Sequence, residues 1–586
     1  MKSPTVAVKA LALGAAVMGF VHTAVSGVVY VTPTGDPAAD GSNWENATTL
    51  AHACEIVPAG TASECSEIIL KAGTVESPAI YDYSSQVGGS CVATLTAANV
   101  RIRSAADDLD SRKVVIKGGG DYRRFLVSAS GFQMAGLTVR DFMMTNGACV
   151  VKGPVALATN CAFVANFSTN KVGAATTSVY SALFCNTSAS FCNCDFTDNI
   201  GGPYANNDDL VNASCLAGGN NKLYGCRFTG NRGAVALSVA KGSQWSSASL
   251  MATNCTFREN VGGVLNKHYM IQNCTFTDCK FYGNRGDSRA MSEQRWCIGR
   301  GGSFVQCELG GNSSDAGFGG NSYTACLATN NACGFAAASL TRCVVSNNVM
   351  ATLTTGSVTD TLVLSNTFTG SWAVIGADRE GPTVRRSTFV RNRFKQCFLR
   401  GSYGAATGGK APRAEDCLFV GNVCTTVNNE TTGIFYANDG RYVAVGCTVA
   451  DNDCGGGYAF GHTRVSYINQ IANCLSFGDK SCDVYGGSTY CMTNTLYGTI
   501  KTATTHAESV DSKPISNPRF SSRTDALHPF GYSLSARSLA RNAGRDIGYA
   551  EGAKDLTGVL PRVIDGTVDV GCYEFQPIAG LMLFVR

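Results

Sequence analysis

Residues 194–199 read Cys194-Asp195-Phe196-Thr197-Asp198-Asn199, and the phrase Cys-x-Phe-x-x-Asn keeps returning. It stands at Cys161-Ala162-Phe163-Val164-Ala165-Asn166, Cys226-Arg227-Phe228-Thr229-Gly230-Asn231, Cys255-Thr256-Phe257-Arg258-Glu259-Asn260 and Cys279-Lys280-Phe281-Tyr282-Gly283-Asn284. Looser copies follow at Cys307…Asn312 and Cys343…Asn348. Thr361…Asn366 and Ser387…Asn392 keep the frame without the cysteine, Cys417…Asn422 and Cys447…Asn452 restore it, and Cys474…Asp479 ends the series. A motif returning every few tens of residues marks a stacked repeat. Within each copy Cys and Phe fall on one face and the residue between them on the other, which is strand periodicity. Asn sits where the strand ends and suits a turn, because it tolerates unusual backbone angles and bonds nearby backbone.

One copy cannot bury its apolar face alone, but stacked copies can. Coils about 4.8 Å apart put Cys on Cys, Phe on Phe and Asn on Asn. Stacked amides then bond along the axis as a ladder. With 66 glycines and no long 3.6-residue apolar stripe, helix is a poor alternative. The chain is therefore expected to be all-β, a single parallel β-helix solenoid.

The Phe-x-x-Asn copies, alternating with runs such as Gly262-Gly263-Val264-Leu265, resemble the repeats of polymorphic outer membrane proteins. More broadly they resemble right-handed parallel β-helix proteins of the pectin-lyase-like superfamily. Tyr30-Val31-Thr32-Pro33-Thr34-Gly35 and Ile69-Leu70-Lys71-Ala72-Gly73-Thr74 resemble the opening coil of bacterial members. Ser538–Gly544, Asp555–Gly558, Pro561-Arg562 and Val568–Glu574 resemble their closing segment. The resemblance implies a right-handed coil and a short C-terminal closing segment, and an N-terminal cap is expected because an open solenoid end would expose unpaired backbone and apolar core. It also implies that Arg562, Asp569 and Glu574 close the last coil rather than catalyse.

Residues 1–26 read as a secretory signal peptide, with Lys2 and Lys9 before an apolar run and Ala24-Val25-Ser26 before Gly27. Residues 27–130 are expected to hold the cap and first coils, 131–500 the repeats, and 501–586 the closing segment. Export to the cell surface or medium follows, and no transmembrane helix is expected once the signal is removed. Only 15% of residues are charged, with 47 Lys and Arg against 43 Asp and Glu, which argues against a nucleic-acid partner.

Twenty-seven cysteines in an exported chain suggest disulfides, but in-register ladder cysteines hold their Cβ atoms too far apart for a relaxed bridge. A buried thiol stack is expected there. Off the ladder, Cys54 with Cys65 and Cys482 with Cys491 sit at loop-closing spacings and are the disulfide candidates.

No His-Glu-x-x-His, Gly-x-Ser-x-Gly or dinucleotide fingerprint occurs. β-Helix lyases use Asp or Glu to hold Ca²⁺ against a uronate and Arg or Lys as the base. The candidates at similar phase on successive repeats are Asp208 and Asp209 for metal, and Lys241, Lys267, His268 and Arg289 for catalysis. The competing reading is solvated loop charge. The leading expectation is a non-catalytic, cofactor-free rod whose loops bind a polysaccharide or another cell-surface ligand. The alternative is a polysaccharide lyase or epimerase, with Ca²⁺ as its cofactor.

Overall fold

A computed structural model describes residues 27–575, apart from internal stretches of which the longest are 169–182, 202–212, 240–248, 287–301, 401–410 and 524–531. Every pairing between its strands is parallel; Phe196 lies opposite Phe228, Phe228 opposite Phe257, and Phe257 opposite Phe281. The chain is a parallel β-helix. Its first sheet has 19 strands, from Val28–Val31 through Asn220–Tyr224 to Glu508–Val510. Its second sheet stacks the Cys-x-Phe strands, such as Asp195–Thr197, Arg227–Thr229, Thr256–Arg258 and Lys280–Tyr282. A third face is carried by a seven-stranded sheet in the first half and a six-stranded one in the second.

The repeat phrase explains this geometry residue by residue. Phe196, Phe228, Phe257 and Phe281 are fully buried and stack at 4.5–5.0 Å with interplanar angles of 2–10°. A second column from the first sheet, Phe276, Phe304 and Tyr323, stacks at 4.9 and 4.6 Å and meets the first column edge-on. The amide ladder runs from Asn166 to Asp479. Asn231 Nδ2 donates to Asn260 Oδ1 at 3.0 Å and to the Phe196 carbonyl at 2.9 Å. That same Oδ1 accepts the Asn231 backbone N–H at 3.1 Å. Each asparagine thus serves as a turn's missing backbone partner and as a tie to the next coil.

Two features differ from the sequence reading. The unusual backbone angle falls on the residue before each ladder asparagine, not on the asparagine itself: Ala165, Asp198 and Glu259 have φ of 52–55°. A matching left-handed corner precedes each ladder cysteine, at Asn160, Asn193 and Asn254. There is also an additional coil, Cys326-Leu327-Ala328-Thr329-Asn330-Asn331, whose Asn331 takes its place between Asn312 and Asn348. Its small Ala328 hides the aromatic signature.

The ladder cysteines are free thiols buried in the core, and Cys226 Sγ donates to the Phe191 carbonyl at 3.3 Å. Burial pushes the thiols of Cys194, Cys417 and Cys474 up. Cys54 and Cys65 are not bridged, contrary to the expectation from their spacing. Cys54 lies in helix Leu50–Ile56, whose buried face packs Leu50, Ala53 and Cys54 into the solenoid core. Cys65 is half-exposed and accepts from Gln133 Nε2 at 3.3 Å. Cys482 lies outside the described residues, as does the Cys491 side chain. Alkylation of the native, unreduced protein is expected to spare the ladder cysteines, and alkylation after denaturation without reductant to label them all. Unlabelled ladder cysteines in the second sample, read by peptide mass, would show bridges between coils.

The C-terminal segment does not simply close the last coil. It folds back along the outer face of the second sheet. Tyr532, Cys572 and Tyr573 pack on Val390, Leu418, Val420 and Ala450, while Leu534, Ala540 and Val570 pack on Leu475 and Leu496. The physical reason lies in the solenoid: Val390, Leu418, Val420, Ala450 and Leu475 stand at outward positions of that sheet and form an apolar stripe that needs a cover. No helix among the described residues is long and apolar enough to cross a membrane.

Candidate functional site

The corner before each ladder position brings one residue per coil to a fixed phase. In successive coils these are Arg342, Asp360, Arg386, Asp416 and Gly446, all with left-handed φ between 42° and 59°. Backbone bonds set their register, from Arg342 N–H to the Thr359 carbonyl at 3.0 Å to Gly446 N–H to the Ala472 carbonyl at 2.9 Å. The column alternates in charge, so neighbours attract. Arg386 binds Asp360 with two bonds, Nε to Oδ1 at 2.7 Å and Nη2 to Oδ2 at 2.8 Å. Such a fork is the strong geometry for this pair.

Beside the column, the folded-back segment forms a hairpin in which Lys554 bridges to Pro561. Between hairpin and column lies a groove of about 510 Å³. Arg342, Asp360, Arg386 and Thr388 line one wall, Lys554, Thr557 and Gly558 the other, with Leu362 and Leu556 between them. Asp360 is neutralised by Arg386. The exposed guanidinium of Arg342 has no side-chain partner among the described residues. Lys554 Nζ donates to the Val559 carbonyl at 3.1 Å and has no carboxylate partner among the described residues. Two free cations, two threonine hydroxyls and an apolar floor suit an anionic ligand with a hydroxylated body.

A second cluster secures the hairpin. Arg562 is fully buried, with Nε 3.1 Å from Asp416 Oδ1 and Nη1 2.8 Å from Glu574 Oε1. Its Nη2 donates to Tyr549 Oη at 3.3 Å and to the Asp569 carbonyl at 3.4 Å. Asp569 accepts the Asn542 backbone N–H at 2.7 Å. Burial, against the pull of Arg562, pushes the Asp416 carboxyl up to about 7 and that of Glu574 up to about 8. The folded state thus holds protons that the unfolded chain releases near its ordinary carboxylate values. Their contribution to docking is complete below those values and lost as pH rises through about 7 to 8. Protease release of the C-terminal segment is expected to quicken between about pH 4 and pH 8 and to level off above. A release rate that is flat or falls over this range would contradict the assignment.

Of the sequence candidates, the structure describes the backbone of two. Lys267 and His268 fall in strand Leu265–His268 of the third face, where Lys267 pairs with Ser238 and His268 with Val239. Lys241, Arg289, Asp208 and Asp209 lie outside the described residues, as do the side chains of Lys267 and His268. Among the described residues no group of three or more His, Cys, Asp or Glu side chains could hold a metal ion. The groove residues did leave a sequence signal. Arg342, Asp360, Arg386 and Asp416 each directly precede a ladder position, at Cys343, Thr361, Ser387 and Cys417.

No protein-family model matches the chain, and no curated protein matches it. Among solved structures it is similar to pectate lyase Pel9A, at 11% identity over 94% of this chain and 97% of that one, with a TM-score of 0.19. A rhamnogalacturonan lyase matches at 11% identity over 87% and 97%, also with a TM-score of 0.19. Tailspike protein 3 of bacteriophage CBA120 matches at 10% over 78% and 57%, with a TM-score of 0.21. Likeness at this level carries no argument about activity.

Proposed function

We propose that this is an exported, non-catalytic β-helix that binds an acidic saccharide in the groove between its charged corner and its folded-back C-terminal segment. The observation supporting this reading is the pair of unneutralised cations, Arg342 and Lys554, facing one shallow cleft beside threonine hydroxyls. The rigid solenoid would present that cleft at the cell surface or in the medium for adhesion. A uronate lyase or epimerase is the second reading, because an unpaired Arg342 or Lys554 also meets that chemistry's need for a base.

The test incubates the purified protein with neutral and acidic polysaccharides, with and without Ca²⁺, recording retention and ultraviolet-absorbing unsaturated uronate. Retention on acidic polymers without product is expected, and Arg342→Ala is expected to weaken it about tenfold. Unsaturated product would establish the lyase. Retention on neutral polymers alone, or none, would remove the groove reading.

A further inference from the structure

We infer that Arg562 is a positioning residue for the groove, and that docking of the C-terminal strap and binding of ligand are a single linked equilibrium. This rests on the groove being the ligand site.

One wall of the groove belongs to the solenoid and the other to the hairpin that follows Ala553, so the site is incomplete unless the strap is docked. Arg562 comes directly after that hairpin and enters the solenoid at one prepared place. The corner column has side chains at Arg342, Asp360, Arg386 and Asp416, but Gly446 leaves a vacancy in the next coil. A Cβ on Gly446 would stand 2.8 Å from Arg562 Nη2 and 2.4 Å from Asp416 Oδ1. The guanidinium therefore takes the position a side chain at 446 would fill. It continues the alternation of positive and negative charge from another part of the chain.

A continuous set of bonds leads from this pin to the groove. Arg562 pairs with Glu574, whose backbone N–H donates to Asp555 Oδ2 at 3.3 Å. Asp555 Oδ1 accepts the backbone N–H of Thr557, a lining residue, at 3.1 Å. Next to it Leu556 N–H donates to the Cys572 carbonyl at 2.8 Å. Withdrawing Arg562 would leave Asp416 and Glu574 buried without their cation, an arrangement that favours release of the strap. A ligand touching both walls binds the docked state alone. It must then stabilise docking, and undocking must lower its apparent affinity by the fraction of chains released.

Hydrogen exchange at residues 554–561 and binding of dextran sulfate and of polygalacturonate would be measured on the full chain, Arg562→Gln and Gly446→Ala. In the unaltered protein either probe is expected to slow exchange in the hairpin. Arg562→Gln is expected to speed hairpin exchange and weaken binding by at least about tenfold, while strand Phe281-containing Lys280–Tyr282 exchanges as before. Gly446→Ala crowds the pin without removing a charge and is expected to shift both readouts the same way, which keeps the test available if Arg562→Gln does not fold. A freed hairpin with affinity within about twofold of the unaltered protein overturns the coupling alone, as does binding that leaves hairpin exchange unchanged. Failure of the unaltered protein to bind either probe overturns the groove reading and the coupling together.

Discussion

Asn284→Leu is expected to destabilise its part of the solenoid by about 2–9 kcal/mol, from two or three buried polar groups left unpaired at about 1–3 kcal/mol each. Asn284 Oδ1 accepts both the Asn260 backbone N–H at 3.1 Å and Asn260 Nδ2 at 2.9 Å. Its Nδ2 donates to the Phe257 carbonyl at 2.8 Å and to Asn312 Oδ1 at 3.1 Å. Leucine supplies none of these, and Asn284 is fully buried, so water cannot replace them. Coils contact only their neighbours, so the damage should be local. Hydrogen exchange should accelerate in Thr256–Arg258 and Lys280–Tyr282 and stay unchanged in Leu418–Val420. Uniform acceleration along the rod would show that the ladder acts as one cooperative unit instead.

Phe257→Ala should cost a similar amount, about 3–5 kcal/mol. The ring is fully buried, stacks at 5.0 Å on both Phe228 and Phe281, and meets Phe276 edge-on at 5.9 Å. Removing it opens a cavity between stacked rings that parallel strands cannot close, because the coil spacing is fixed by backbone bonds on both sides. Phe257→Leu, which keeps most of the volume, should cost clearly less. Denaturant titration of the two variants gives the comparison, and equal losses would mean that stacking geometry, not volume, carries the stability.

Where every coil says the same thing, the fold was legible. Cys226, Phe228 and Asn231 each recur at a fixed spacing, and period two alone assigns the first two to the core. The coil at Cys326–Asn331 was harder, since Ala328 fills its site with little volume beneath larger neighbours. Left-handed corners escaped notice because residues as different as Ala165, Glu259 and Arg386 occupy them. There the backbone angle is imposed by the turn between two sheets, and the side chain's own preference is overruled.

The candidate site divides in the same way. Arg342, Asp360, Arg386 and Asp416 could be placed on one corner from the repeat frame, because a solenoid converts sequence phase directly into position. Lys554 and Arg562 could not. They follow the repeats and reach coils more than a hundred residues earlier, and no periodicity fixes where such a segment lands. The sequence by itself determined the solenoid, its Asn ladder and its thiol stack, since all are local and repeated. Only the tertiary structure decided that the C-terminal segment lies on the second sheet, that Arg562 fills the vacancy at Gly446, and that a groove opens between them. Those are contacts between distant segments, set by which apolar face lacked a cover and which buried carboxylates lacked a cation.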